Sequence, residues 1–286
     1  MRLCWLSIIR VVSGIMFIMA GELSASADEL LIFAGAASKP PTEEVIRSFE
    51  KATGVKVSIT FGGSGFILSQ MALAQRGDIY FPGSSDYMEI AKKKGLVLPE
   101  SERRVAYIVP AINVQKGNPK GIKSLKDLAD PTVRVAIANP EAVCVGVYAV
   151  EIIEKNFSAQ DKAAFRSNLI NYSESCEKTA TAISLKAVDA VIGWEVFQYW
   201  DPSRIESVPL KKDEIVRIGY IPIAISKFTQ NTVLARRFID FILSGEGRTA
   251  FEKYHYFTSP EEAIAFIGDK KPVGGEYDVP KEWTRR

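Results

Sequence analysis

Residues 30–65 read LLIFAGAASKPPTEEVIRSFEKATGVKVSITFGGSG, and the order of patterns within them sets the class of the whole chain. Leu30 to Ala34 is an unbroken apolar run, the mark of a strand buried on both faces. A corner at Ser38-Lys39-Pro40-Pro41 follows, after which Val45, Ile46 and Phe49 fall at helical spacing. Glu43 and Glu44 suit the first turn of that helix, and Gly54 suits its stop. Val55, Val57, Ile59 and Phe61 then alternate as a second strand. Strand, helix and strand in so short a span make a βαβ unit, which implies a parallel pair. Gly62-Gly63-Ser64-Gly65 turns the chain into a further helix through Ile67, Leu68 and Met71.

The same alternation continues outward. Asp78 to Phe81 reads as a third strand, and Ser85 to Lys94 as a helix stopped by Gly95. Val105 to Val114 is strand-like, Gly117 to Gly121 is a turn, and Ser124 caps a short helix ending near Ala129. Val133 to Ala138 is a strand that runs through Asn139-Pro140-Glu141 to Gly146 and into a helix. A helix over Glu177 to Lys186, strands over Asp189 to Gly193 and Ile215 to Ile225, and a helix over Asn231 to Leu243 complete the pattern. The expectation is α/β, with two mostly parallel sheets flanked by helices. No Pro/Ser linker separates the halves, so two lobes joined by crossing strands are expected, with Val105–Val114 and Ile215–Ile225 as hinges. Lobe one takes 28–109 and 223–258, and lobe two 110–222. The Pro/Gly/Lys-rich extension 259–286 either drapes over the surface or is disordered.

Residues 1–27 read as a signal peptide. Arg2 and Arg10 precede an apolar stretch from Val11 to Ala20, and Ala25 and Ala27 fit cleavage after Ala27. The apolar run is short for a membrane span. A periplasmic location follows, and loss of the leader takes Cys4 with it. Cys144 and Cys176 then remain in an oxidising compartment, where two cysteines suggest one disulfide. The chain carries 36 Lys and Arg against 34 Asp and Glu, a net charge of +2. That balance, without a basic stripe, argues against nucleic-acid or membrane-surface binding. The single histidine, His255, makes a Ser-His-Asp hydrolase or a His-rich metal site a poor fit. Asp78, Asp86 and Glu141 show no paired spacing for acid/base catalysis, so no enzyme is expected.

Three places share one device, in which a small-residue turn joins a strand to a helix: Ala36-Ala37-Ser38, Gly62 to Gly65, and Val143-Cys144-Val145-Gly146. Helix N-termini present unpaired N–H groups and the positive end of the macrodipole, which suits an anion. Simple capping accounts for any one of them, whereas several in one exported α/β chain point to an anion-binding, two-lobed protein.

The chain resembles the periplasmic molybdate-binding proteins of ABC transporters. The resemblance is carried by Phe33 to Ser38, Phe49 to Val57, Phe61 to Gly65 and Asp78 to Phe81. Its most specific run is Lys116 to Leu128 with Val133 to Ile137 and Asn139-Pro140-Glu141. Val188-Asp189-Ala190, Phe241 to Gly247 and Glu252-Lys253-Tyr254 complete it. The resemblance implies a type II-like periplasmic binding fold and a tetrahedral oxyanion, molybdate or tungstate, as ligand, with no cofactor. It also implies a monomer that docks on an inner-membrane permease. Carried over, the anion contacts are the hydroxyls and amides of Ser38 and Ser64, the amides of Val145 and Cys176, and Trp194 where a tyrosine is usual. Pro40 and Pro41 reduce the amides at the first turn, Cys144 replaces a common proline, and Cys176 a common aliphatic residue. On the resemblance Cys144 and Cys176 converge on one anion, which implies a disulfide between them. The rival is a reduced pair that binds a thiophilic metalloid or soft metal directly. A sensor or regulatory binding protein is the alternative to transport.

Overall fold

The structure, a computed structural model, describes residues 29–284, so the expected signal peptide and Cys4 lie outside the described residues. The strands are β1 (Glu29–Gly35), β2 (Lys56–Gly62), β3 (Ile79–Phe81), β4 (Arg103–Ile108), β5 (Pro110–Gln115), β6 (Val135–Ala138), β7 (Leu169–Ser173), β8 (Ala190–Trp194), β9 (Ile205–Pro209) and β10 (Gly219–Ile225). The helices are α1 (Lys39–Thr53), α2 (Ser64–Ala74), α3 (Ser85–Lys93), α4 (Cys144–Asn156), α5 (Ala159–Asn168), α6 (Cys176–Ser184), α7 (Phe197–Trp200), α8 (Thr232–Ile242), α9 (Gly245–Lys253) and α10 (Pro260–Ile267).

Two five-stranded sheets form, in the orders β2-β1-β3-β10-β4 and β7-β6-β8-β5-β9. Each is parallel except for one strand, β10 in the first and β5 in the second, which pair antiparallel with both neighbours. The expected mostly parallel, two-lobed architecture is therefore present. The expected strand over Val105–Val114 splits at Val109. Its first half, β4, joins sheet one and its second half, β5, joins sheet two, so one extended segment crosses between the lobes. The second crossing is irregular chain between β9 and β10, and only its end from Gly219 is strand.

Helix α1 shows how the sequence sets a local detail. Pro40 and Pro41 sit in its first turn, where a missing N–H costs nothing, and this displaces Glu43 and Glu44 into the second turn. Val45, Ile46 and Phe49 form the buried stripe, with Phe49 edge-on to Phe238 and Phe241 of α8 at 5.1 and 5.3 Å. Asp78 anchors the sheet, as its carboxylate accepts from the Leu31 amide (2.8 Å) and the Thr229 hydroxyl (2.6 Å).

Residues 259–284 are ordered. They form α10 and then run along lobe two to Trp283, which is buried beside Phe165 and donates its indole N–H to Glu154 (2.7 Å). On the way the Gly275 carbonyl accepts from Ser85 of α3 (2.8 Å) and from Arg217 (2.9 Å). The lobes are closed on one another. Gly65 N donates to Ala142 O (2.8 Å), Tyr87 Oη to Pro140 O (3.2 Å), and Lys39 pairs with Glu177 (2.7 Å) across the seam.

Candidate functional site

The parallel strands of each sheet end at the seam, where α/β sheets place their ligand crevice. In sheet one β1 and β2 pair in register to Gly35↔Gly62. Ser38 and Ser64 therefore follow adjacent carboxyl ends. In sheet two β6 and β7 pair to Ala138↔Ser173, and their following helices begin at Cys144 and Cys176. Trp194 closes β8 between them and the hinge. Ser38, Ser64, Cys144, Val145, Cys176 and Trp194 are all at most 1% exposed. Helix α6 packs directly against the Ala36–Ser38 turn, so the two lobes meet at these positions.

Each serine oxygen accepts a hydrogen bond from its own lobe. Ser38 Oγ accepts from Thr42 Oγ1 (3.2 Å), and Ser64 Oγ accepts from the Gly83 amide (3.0 Å). A hydroxyl that accepts still holds its one hydrogen for donation. Neighbouring phenols fix the turns: Tyr80 Oη donates to Ser64 O (2.9 Å), and Tyr256 Oη to Ala37 O (2.6 Å). Trp194 Nε1 is buried without a hydrogen-bond partner, and its ring lies edge-on to Tyr148 at 4.8 Å.

The two cysteines are adjacent but not bonded. Their sulfurs lie 3.5 Å apart as free thiols, against about 2.05 Å in a disulfide. The disulfide expected from the resemblance is thus not formed here. Each cysteine is the first residue of its own helix, and both side chains enter the seam rather than leaving backbone amides alone to line it. Cys144 Sγ packs onto lobe one at Gly83, where a Cβ would sit 2.6 Å from the sulfur and 2.5 Å from Ala37 Cβ. Only glycine leaves room for the thiol at this approach. Burial pushes the Cys176 thiol well above its ordinary range. The Cys144 thiol adds to the rise, while the Val145 amide and the Trp194 indole oppose it.

Formal charge is kept away from this centre. Lys39 is paired with Glu177 at the rim. Behind the wall, Arg217 donates to Asp86 of α3 (2.8 and 3.2 Å) and to Glu151 of α4 (2.6 Å), with its guanidinium 3.9 Å from the Tyr148 ring centroid. This buried triad joins the lobes, and sequence reasoning missed it. The available signal was a lone arginine inside the apolar run Ile215 to Ile225. Two open grooves, of about 440 and 510 Å³, flank the seam, and none of the six central residues lines either one. Among the described residues no cluster of three His, Cys, Asp or Glu could hold a metal ion, and no helix is long and apolar enough to cross a membrane.

The bacterial extracellular solute-binding protein family matches residues 30–257, almost the whole of both lobes. The chain belongs to that family. This solute-binding protein is 23% identical over 254 residues to the molybdate-binding protein ModA of Rhodobacter capsulatus, covering 86% of this chain and 95% of that one. It is 34% identical over 131 residues to a binding protein of Haemophilus influenzae, a match that covers 46% of this chain and about half (53%) of the relative's length. Among solved structures, the sulfate-binding protein SubI of Mycobacterium tuberculosis H37Rv superposes with a TM-score of 0.71 at 16% identity. That superposition covers 86% of this chain and 93% of SubI, which shows a shared fold. The resemblance to molybdate-binding proteins read from the sequence holds.

Proposed function

We propose that this solute-binding protein captures a small tetrahedral oxyanion, molybdate or tungstate, between its lobes in the periplasm and delivers it to the permease of an ABC importer. The observation that carries this reading is the set of uncharged donors at one seam: the Ser38 and Ser64 hydroxyls, the amides that open α4 and α6, and the unpartnered Trp194 indole. A fully ionised oxyanion offers only acceptors, so a wall of donors holds it and rejects a protonated competitor whose O–H meets another donor. The anion would bridge both lobes and stabilise the closed form over the open one. The molybdate-binding and sulfate-binding relatives support the ligand class. The two thiols share the seam, so a bound oxyanion has them as neighbours.

A thermal-shift panel of molybdate, tungstate, sulfate and phosphate is the test, because a ligand of the folded state raises Tm by mass action. Stabilisation by molybdate or tungstate at micromolar concentration is the expected result. A flat response to every oxyanion removes the reading.

A further inference from the structure

We propose that Cys144 and Cys176 form a dithiol site for a trivalent metalloid oxyacid of the arsenite type, seated at the interlobe seam. The proposal rests on this seam being the solute site, as above, but not on the oxyanion class of the solute.

Three observations converge. The first is spacing. Two sulfurs bonded at about 2.3 Å, the length of a zinc–thiolate bond, to one pyramidal or tetrahedral centre with angles of roughly 95–110° lie roughly 3.4–3.8 Å apart. The Cys144 and Cys176 sulfurs are already 3.5 Å apart, so one centre bridges them with a shift of a few tenths of an ångström. The second is the room made for the pair. Gly83 of lobe one leaves space for the Cys144 sulfur, so the closed lobes hold the pair at the seam. The third is Trp194 Nε1, a fully buried donor that makes no hydrogen bond of ordinary geometry and lies beside the Cys176 thiol.

The surroundings select among thiophiles. A bare soft cation would sit between the positive ends of two helices with N–H donors aimed at it and no carboxylate in the cluster. A metalloid oxyacid suits that shell better, because it keeps an oxygen that can accept from the indole. The step is a condensation: two thiols and one As(OH)3 give one bis-thiolate As–OH and two waters. Two S–As bonds form and two As–O bonds break. Each thiol proton leaves with a hydroxide as water, and arsenic stays trivalent. The adduct is neutral, so no net charge is buried. Burial pushes the Cys176 thiol up, and this reaction takes a thiol in its protonated form.

The proton balance gives a discriminating readout. Condensation releases no net proton, so arsenite affinity should be nearly constant from pH 6 to 8. A soft divalent cation displaces two thiol protons, and its affinity should rise about 100-fold per pH unit. The reduced full-length protein is titrated with arsenite, arsenate, zinc and molybdate, read by thermal shift and by intact-mass counting of thiols that alkylation reaches in the native state. Arsenite should raise Tm, protect both thiols, and add the mass of one As(OH)3 less two waters, while arsenate does none of these. Cys144→Ser and Cys176→Ser should each abolish the arsenite shift. The proposal is overturned by an arsenite shift that persists in the double serine variant, by unprotected thiols in the wild type, by a disulfide that reforms in the presence of arsenite, or by thiol-dependent zinc binding with the steep pH slope and no arsenite effect. Thiol protection and adduct mass are read on the wild type, so the test survives if a serine variant fails to fold. A molybdate shift without arsenite protection sinks only this proposal, and the converse sinks only the oxyanion reading.

Discussion

Replacing Arg217 by alanine should destabilise the protein by about 3–5 kcal/mol at neutral pH, because the change strips the buried cation from two buried carboxylates and leaves Asp86 with none, while Glu151 keeps only the exposed Lys155 at 3.1 Å. Asp86 and Glu151 are each 5% exposed, and Arg217 is 4% exposed. Arg217 makes two hydrogen bonds to Asp86 and one to Glu151, and the Tyr148 ring covers its face. Burial already raises the Asp86 carboxyl against the opposing pull of Arg217, so loss of the guanidinium leaves burial opposed only by hydrogen bonds from the Ser84 hydroxyl and the backbone. For a domain of this size each kcal/mol moves Tm by roughly 2–4 °C, which puts the fall at roughly 6–20 °C. The pH dependence follows from the sign of the shift. A carboxyl whose folded pKa lies above its unfolded value destabilises as pH rises past the unfolded value, and the penalty vanishes below it. The deficit of Arg217→Ala should therefore be full at pH 7 and shrink towards pH 4. Urea unfolding of wild type and variant at pH 4, 5.5 and 7 measures it. The uncharged triple variant Asp86→Asn, Glu151→Gln, Arg217→Met should recover part of the loss, since none of the three buried charges is left without its partner. A deficit below 1 kcal/mol at pH 7, or one equal at all three pH values, would refute the reasoning and reduce Arg217 to a packing residue.

Three further outcomes are expected. Ser38→Ala and Ser64→Ala should each weaken oxyanion binding by about 1–3 kcal/mol in calorimetry, because each leaves an acceptor of the ion unpaired; unchanged affinity in both would take the serines out of the site. Trp194 should report binding, with most of the ligand-induced change in intrinsic fluorescence lost in Trp194→Phe; a change of undiminished size would place the signal at Trp200 or Trp283. Asp189 should contribute to acid sensitivity: burial raises its carboxyl, but hydrogen bonds from the Arg134 side chain and amide outweigh that and lower it. A lowered folded pKa gives stability that is present above the unfolded value and lost as pH falls through the folded one. Asp189→Asn should accordingly unfold with a shallower acid transition below about pH 4, and an identical transition would deny Asp189 that role.

The parts of the fold that sequence patterning reached were those with one dense apolar signal. β1, β2, β3, β6 and β8 are unbroken or alternating runs, and α8 carries its stripe of Leu234, Phe238 and Ile242. What escaped was sparse. β7 is an edge strand with Ile170 turned outward at 56% exposure, so its face does not alternate cleanly. α5 buries little more than Phe165 and Asn168, and β9 is short and half-exposed. The Pro/Gly/Lys-rich composition of the last segment concealed the order supplied by Trp283, because a single buried indole does not register in composition. At the site, strand-to-helix turns marked where donors would gather. The direction of the thiols could not be read, since it depends on how two separate helices present their first residues across the seam. The role of Arg217 was equally hidden, as its two carboxylate partners lie 131 and 66 residues away in the chain.

The ordered end of the chain changes how far a clamshell of this kind can travel. Beyond lobe one the polypeptide returns to lobe two through α10 and is pinned there at Trp283, while its middle holds Ser85 and Arg217 through the Gly275 carbonyl. The lobes are thus tethered by three passages of chain instead of two, the third lying outside the hinge strands. A rotation that separates the rims must either stretch this strap or shed its grip on α3. The excursion between empty and loaded states should then be short, and release of cargo should depend on whatever loosens residues 272–279.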